Sequence, residues 1–307
     1  MTQKQEETNR SKAALCDWHK REGELAASAL TDVLNEQTGR QRKAYASEWE
    51  RHERLLEILV SSSPAARKLV ETIGAMKVFD VGVEKLSGVG KSDFVLNHQM
   101  DIMSNSLTDR LSFRGKPFDA RWTEFRPFNR WGTAARGPSA QLDGTMSLDL
   151  TETYVDRPIA YGGWMRNAAG VGTWFKPKSK STYVRVAPFC DYGFRWKDDS
   201  SLQVAHNSGD IGVFIQRFLG PGQFETVLDD RTELWRDGTS WYQTHQDEQS
   251  GYFTKSNYFW ASSSDWYLVW VWCNSAIDFA TKTTFGSSRA YNNLLAHLRW
   301  LVFEQWA

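Results

Sequence analysis

Residues 266–273 read WYLVWVWC, which places three of the chain's fifteen tryptophans in eight consecutive residues with no charge among them. Laid out at the two-residue period of a strand, Trp266, Leu268, Trp270 and Trp272 fall on one side and Tyr267, Val269, Val271 and Cys273 on the other. A strand wet on one side alternates apolar with polar; one that is apolar on both sides is covered on both. Eight residues are too few for a membrane-spanning helix, which needs about 20, and about one short of a tilted membrane strand. The segment therefore reads as the central strand of a sandwich, enclosed by helices or a second sheet, with Trp270 hidden from solvent.

The flanking sequence supports a sheet domain. MSLDLTETYV alternates Met146, Leu148 and Leu150 against polar neighbours, and STYVRVAPF, DYGFRW, LQVAH, IGVFIQRFL, QFETVLDD, TELWR, SWYQT and YFTKSNYFWA follow. Turn signals separate these runs: Asp198-Asp199-Ser200-Ser201, Asn207-Ser208-Gly209, Gly220-Pro221-Gly222 and the Asp237-Gly238 hairpin pair. Many short strands at close spacing indicate an antiparallel β-sandwich of jelly-roll type over residues 146–286.

Upstream the period changes. Leu15, Trp18, Leu25, Ala29 and Val33, then Tyr45, Trp49, Leu56 and Leu59, recur at helical steps, with a break expected at Gly39. A new helix should start at Ser63-Pro64, where the serine caps free amides and proline loses no hydrogen bond. Another is expected from Ser92 through Phe94, Val95, Ile102, Met103 and Leu107, so residues 1–110 read as a helical region, a candidate for self-association. Residues 111–145 form a connector or irregular first strands in which arginines alternate with aromatics. After Ser287 or Ser288, RAYNNLLAHLRWLVFEQW carries Tyr291, Leu294, Leu295, Leu298, Leu301 and Val302, which predicts a C-terminal amphipathic helix over 287–307. The expected class is thus α+β: helical region, sandwich, C-terminal helix.

Composition narrows the function. The 37 basic and 37 acidic residues cancel, so no nucleic-acid partner is expected from the bulk field. Cys16, Cys190 and Cys273 are too few and scattered for a disulfide framework or thiolate metal site. The polar start, MTQKQEETNRSKAAL, lacks the apolar core of a secretory signal, which suggests cytoplasmic synthesis with signal-independent release left open. No window approaches the run of about 18 apolar residues that a transmembrane helix needs.

Catalytic motifs fail on inspection. GVGKS at 88–92 resembles the end of a phosphate-binding loop, but Lys85 stands where its first glycine is required. His206 and His245 could meet, with Asp210 or Asp247 beside them, yet the six histidines show no metal spacing. Asp198, Asp199, Asp229, Asp230, Glu233 and Asp237 could supply a carboxylate pair, but most fall in expected turns. No cofactor or metal is expected, and an enzyme is the weaker reading.

Aromatic content carries the positive signal, because flat rings cover the apolar faces of sugars and also suit the bilayer headgroup region. The turn-adjacent Trp174, Trp241, Tyr242 and Tyr258 are the candidate ligand face, joined by Arg121, Trp122, Arg126, Arg130 and Trp131 of the connector. The expectation is a non-enzymatic recognition protein whose sandwich binds a glycan or lipid headgroup. The alternatives are a membrane-active pore-forming toxin and a jelly-roll glycoside hydrolase.

Overall fold

The computed structural model describes residues 3–74, 111–127, 136–154, 163–200, 204–239, 243–280 and 288–306. Two helices, α1 (Gln3–Ser62) and α2 (Pro64–Gly74), precede the strands. These are β1 (Leu111–Gly115), β2 (Ala120–Pro127), β3 (Arg136–Ala140), β4 (Thr145–Tyr154), β5 (Gly163–Phe175) and β6 (Thr182–Ser200). They continue as β7 (Val204–Gly220), β8 (Gln223–Thr239), β9 (Gln243–Phe253), β10 (Asn257–Ala261), β11 (Trp266–Ala280) and β12 (Ser288–Trp306). A seven-stranded sheet has the order β10-β6-β12-β4-β3, with β1 alongside β12 and β9 alongside β6; a five-stranded sheet has the order β2-β5-β11-β7-β8. Neighbours in both sheets run antiparallel.

β11, which begins with WYLVWVWC, is the middle strand of the smaller sheet. Its Tyr267, Val269, Val271 and Cys273 enter the core between the sheets with Val184, Val186, Phe194 and Leu294. Its Leu268, Trp270 and Trp272 pack under Ala26, Ala27, Leu30 and Leu34 of α1. Both coverings foreseen for this strand are present, a sheet on one face and a helix on the other, and Trp270 is 0% exposed.

Glycines make room for these indoles. Trp270 stands opposite Gly172, and Trp272 between Gly170 and Gly212. A Cβ on Gly172 would lie 2.9 Å from the Trp270 ring, and one on Gly212 would lie 2.8 Å from Trp272. Period-two glycines on β5 thus complement period-two tryptophans on β11.

The helix is tied to the sheet by polar contacts as well as apolar packing. Trp174 Nε1 donates to the His19 carbonyl and Trp122 Nε1 to Thr31 Oγ1, both at 3.0 Å. Gln216 accepts from Trp270 Nε1 at 2.9 Å and donates to the Ala26 carbonyl at 3.2 Å, so one buried amide satisfies two groups that burial would otherwise leave unpaired. Arg166, 1% exposed, donates to Thr38, Asn35 and Glu124.

Several expectations need correction. The C-terminal helix is a strand: β12 pairs with β6 over almost its whole length and with β4 and β1. Ala290, Asn292, Leu294, Ala296 and Leu298 point inward at period two, then the register shifts between Leu298 and Trp300 and the inward set resumes at Leu301 and Phe303. That bulge inserts one residue, and the resulting three-residue step imitates a helical stripe. Gly39 does not divide α1; nothing lies near its Cβ position, and a glycine costs only about 1 kcal/mol in a helix held elsewhere by packing. The buried stripe of α1 is Ala26, Ala27, Leu30 and Leu34, whereas Leu15 and Leu25 are exposed.

Two expected turns lie inside strands, and of a third, Asp198, Asp199 and Ser200 belong to β6 while Ser201 lies outside the described residues. Asn207-Ser208-Gly209 belongs to β7, where a Cβ on Gly209 would meet Trp235 at 2.0 Å, and Asp237-Gly238 belongs to β8, with Gly238 against His206. The Gly220-Pro221-Gly222 turn forms as expected, with Gly222 at φ 68°. Ser63 caps α2, its Oγ accepting from Ala66 N at 3.0 Å. The expected helix after Ser92 and the GVGKS segment lie outside the described residues. Among the described residues no helix is long and apolar enough to cross a membrane.

Candidate functional site

NYFWA, strand β10, alternates buried Asn257, Phe259 and Ala261 with exposed Tyr258 and Trp260. Alongside it on β6, Thr182, Val184 and Val186 point into the core while Tyr183 and Arg185 point out. On the other side of β6, Gln305 of β12 turns inward opposite Val184, so Trp306 faces out beside Tyr183. Three strands thereby deliver four rings to one patch on the outer face of the larger sheet.

The rings are mutual neighbours. Tyr183 and Tyr258 have centroids 5.8 Å apart with planes at 14°, and Tyr258 and Trp306 are 6.0 Å apart at 21°. Trp260 and Trp306 lie 6.0 and 6.3 Å from Tyr183. Tyr183 is 42% exposed, Tyr258 46% and Trp260 66%. Interior rings of this protein are covered almost completely, so a cluster left this open stands out as a place for a partner's apolar face.

A polar border frames the rings. Arg185 Nε donates to Ser256 Oγ at 2.9 Å and its Nη1 to Glu304 Oε2 at 3.2 Å. Both ionic side chains are partly exposed, so the pair contributes only about 0–1 kcal/mol to the fold and its groups can turn to a ligand. At one end, the loop of residues 176–181 is fixed beside the rings. Lys178 N donates to Gln305 Oε1 at 2.9 Å, Ser262 Oγ to the Lys180 carbonyl at 3.0 Å, and Thr182 Oγ1 to the Trp306 carbonyl at 2.7 Å.

Of the candidates named from sequence that fall among the described residues, only Tyr258 belongs to this patch. Trp174 is 2% exposed beneath α1 against Trp18, and Trp122 is 7% exposed beneath the same helix, so neither presents a ring to solvent. Their proximity to a turn and to the connector is real, but α1 covers that face. Arg121 and Arg126 are exposed on β2, away from the four rings, and Arg126 pairs with Glu124. Arg130, Trp131, Trp241 and Tyr242 lie outside the described residues.

Tyr183, Trp260 and Trp306 are not among the ligand-face candidates that the sequence singles out. Period-two alternation in STYVRV and NYFWA places Tyr183 and Trp260 on the face opposite the core, a usable signal; Trp306 was concealed by reading its strand as a helix.

The titratable groups considered for chemistry have other partners. His245 Nδ1 lies 2.6 Å from Asp237 Oδ2, while His206 stacks on Tyr45 with centroids 3.9 Å apart. Lys255 pairs with Asp230, Gln37 donates to Asp229, and Glu233 pairs with Arg236. Burial pushes the Asp198 carboxyl well above its usual range, and Asn207 Nδ2 donates to it at 2.9 Å. Burial raises the Cys190 and Cys273 thiols, which keeps them protonated and unreactive, whereas Cys16 is exposed. Among the described residues no group of three or more His, Cys, Asp or Glu side chains is arranged to hold a metal ion.

No family model and no curated protein matches the sequence. Among solved structures, similarity is found to the N-terminal cellulose-binding domain of Cellulomonas fimi β-1,4-glucanase C, at 14% identity over 64% of this chain and 95% of that one, with a TM-score of 0.16. A CBM4 structure matches at 13% identity over 54% of this chain and 91% of that one, with a TM-score of 0.15. TmCBM61 in complex with β-1,4-galactotriose matches at 11% identity over 64% and 87%, also with a TM-score of 0.15. Scores this low do not carry a functional argument, which rests on the surface itself.

Proposed function

We propose that this is a recognition protein that binds a saccharide on the outer face of its larger sheet. The observation that carries the reading is the cluster of neighbouring rings on one sheet face, Tyr183, Tyr258 and Trp260 exposed and Trp306 partly so. A pyranose ring offers axial C–H groups to aromatic faces and equatorial hydroxyls to a polar border. Here the rings supply the faces, and Arg185, Ser256 and Glu304 supply donors and acceptors. Because the strands hold the rings in place, little side-chain entropy is lost on binding.

The test is affinity electrophoresis of the intact chain through gels containing soluble polysaccharides of different backbones, with vesicles of phosphatidylcholine as a lipid control. Retardation by at least one polysaccharide, abolished by Trp260→Ala, is the expected result. Migration unchanged in every gel, together with vesicle binding, would assign the patch to a lipid surface instead.

A further inference from the structure

The loop that borders the rings reads Lys176-Pro177-Lys178-Ser179-Lys180-Ser181. Its three lysines are exposed, but they are not equivalent. The Lys176 ammonium sits 5.4 Å over the ring of Trp266 and is occupied there. Neither Lys178 nor Lys180 has an ion-pair partner among the described residues. Among the described residues, Glu304 is paired with Arg185 and Asp265 with Arg217. Two unmatched positive charges therefore stand at the end of an aromatic patch.

Their placement is fixed by backbone contacts rather than by the flexible ammonium groups. Lys178 N is bonded to the side chain of Gln305, the neighbour of Trp306, and Ser263 N donates to the Ser179 carbonyl at 3.1 Å. The Lys180 carbonyl is held by Ser262, next to Ala261 and close in sequence to Trp260. These contacts set the backbone of Lys178 and Lys180 at the end of the strands that carry Trp306 and Trp260.

We infer that the ligand of this patch is an anionic saccharide, one bearing carboxylate or sulfate groups, whose sugar faces rest on the four rings while its charge is met by Lys178 and Lys180. This rests on the saccharide reading given above. The charge complement also predicts salt dependence, since exposed charges interact over a Debye length of about 10 Å at 0.1 M salt.

The experiment is calorimetric titration of the intact protein with an oligogalacturonate and with a neutral oligosaccharide of equal length, at low and raised salt, for wild type, Lys178→Gln/Lys180→Gln and Trp260→Ala. The expected result is binding of the oligogalacturonate about tenfold tighter than the neutral chain at low salt, two partly exposed ion contacts being of that order. The double lysine variant should lose this preference while keeping its affinity for the neutral chain, and Trp260→Ala should lose both. Equal affinity for the two chains, unchanged in the lysine variant, would overturn the anionic inference and leave the saccharide reading intact. No binding of either chain, with binding to vesicles containing phosphatidylserine, would overturn both.

Discussion

Tyr183 of β6 and Tyr258 of β10 stack across adjacent strands with centroids 5.8 Å apart, yet 42% and 46% of their surfaces remain exposed. Among the described residues Phe125 and Tyr252 are also exposed, at 39% and 59%, but Tyr183 and Tyr258 are exposed as members of a cluster of neighbouring rings. Tyr183→Phe should leave saccharide affinity within about threefold, because the ring face persists, whereas Tyr183→Leu should weaken it by roughly thirtyfold, the size of a hot-spot truncation of about 2 kcal/mol. Equal losses in the two variants, measured by calorimetry, would show that the hydroxyl rather than the ring makes the contact.

Gly172 lies under the indole of Trp270, with 2.9 Å between the ring and the position a Cβ would take. Overpacking at such a site typically costs about 1–3 kcal/mol. Gly172→Ala should lower the urea midpoint accordingly, and adding Trp270→Phe, which shortens the clashing side chain, should recover part of the loss. A double variant no more stable than the sum of the two singles would show that the pair does not act as a unit.

Arg166 joins α1 to the smaller sheet through Thr38 and Asn35 on the helix and Glu124 on β2. Arg166→Ala leaves Glu124 without this partner in a largely enclosed place, a loss of about 3–5 kcal/mol. Arg166→Met with Glu124→Gln, which removes charge from both partners, should be much milder in chemical denaturation. If both variants cost the same, packing rather than charge pairing explains the role of Arg166.

Asp198 is 0% exposed, and burial raises its pKa well above the usual range, with the charges of Asp237 and Asp199 adding to that shift. In the unfolded chain the group ionises near about pH 3.9, so above that pH the folded state holds a proton that the unfolded state has released. The unfolded state binds fewer protons there, and this group's contribution makes stability fall as pH rises through the window between the two values. Asp198→Asn keeps an oxygen acceptor for Asn207 and removes the ionisation. Its Tm should exceed wild type at neutral pH and converge with it below about pH 4. Parallel Tm profiles displaced downward at every pH would mean that Asp198 is ionised in the folded protein.

The central strand was legible because WYLVWVWC is apolar at both phases of the β period, and its complement, the glycines at 170 and 172, is visible on β5. The terminal strand was not, because the bulge between Leu298 and Trp300 converts a two-residue period into a three-residue step among residues that also favour helices. Gly209 misled in a related way: a glycine beside Asn and Ser reads as a turn, but here it provides space for Trp235, which lies distant in sequence and adjacent in space. Among the described residues the site was legible at Tyr258 alone. Exposure of Trp260 follows from alternation, yet the meeting of Tyr183, Tyr258 and Trp306 depends on strand order, which no local pattern specifies.

The most direct test removes the two exposed rings of β10 together, as Tyr258→Ala/Trp260→Ala, and compares the calorimetric affinity of wild type and variant for the best-retarding saccharide, with circular dichroism and Tm as controls for folding. Both side chains point away from the core, so the fold should persist while affinity falls by roughly a hundredfold or more, as expected for loss of two aromatic contacts at the centre of a site. Undiminished saccharide binding by a natively folded variant would contradict the assignment of this patch as the binding surface.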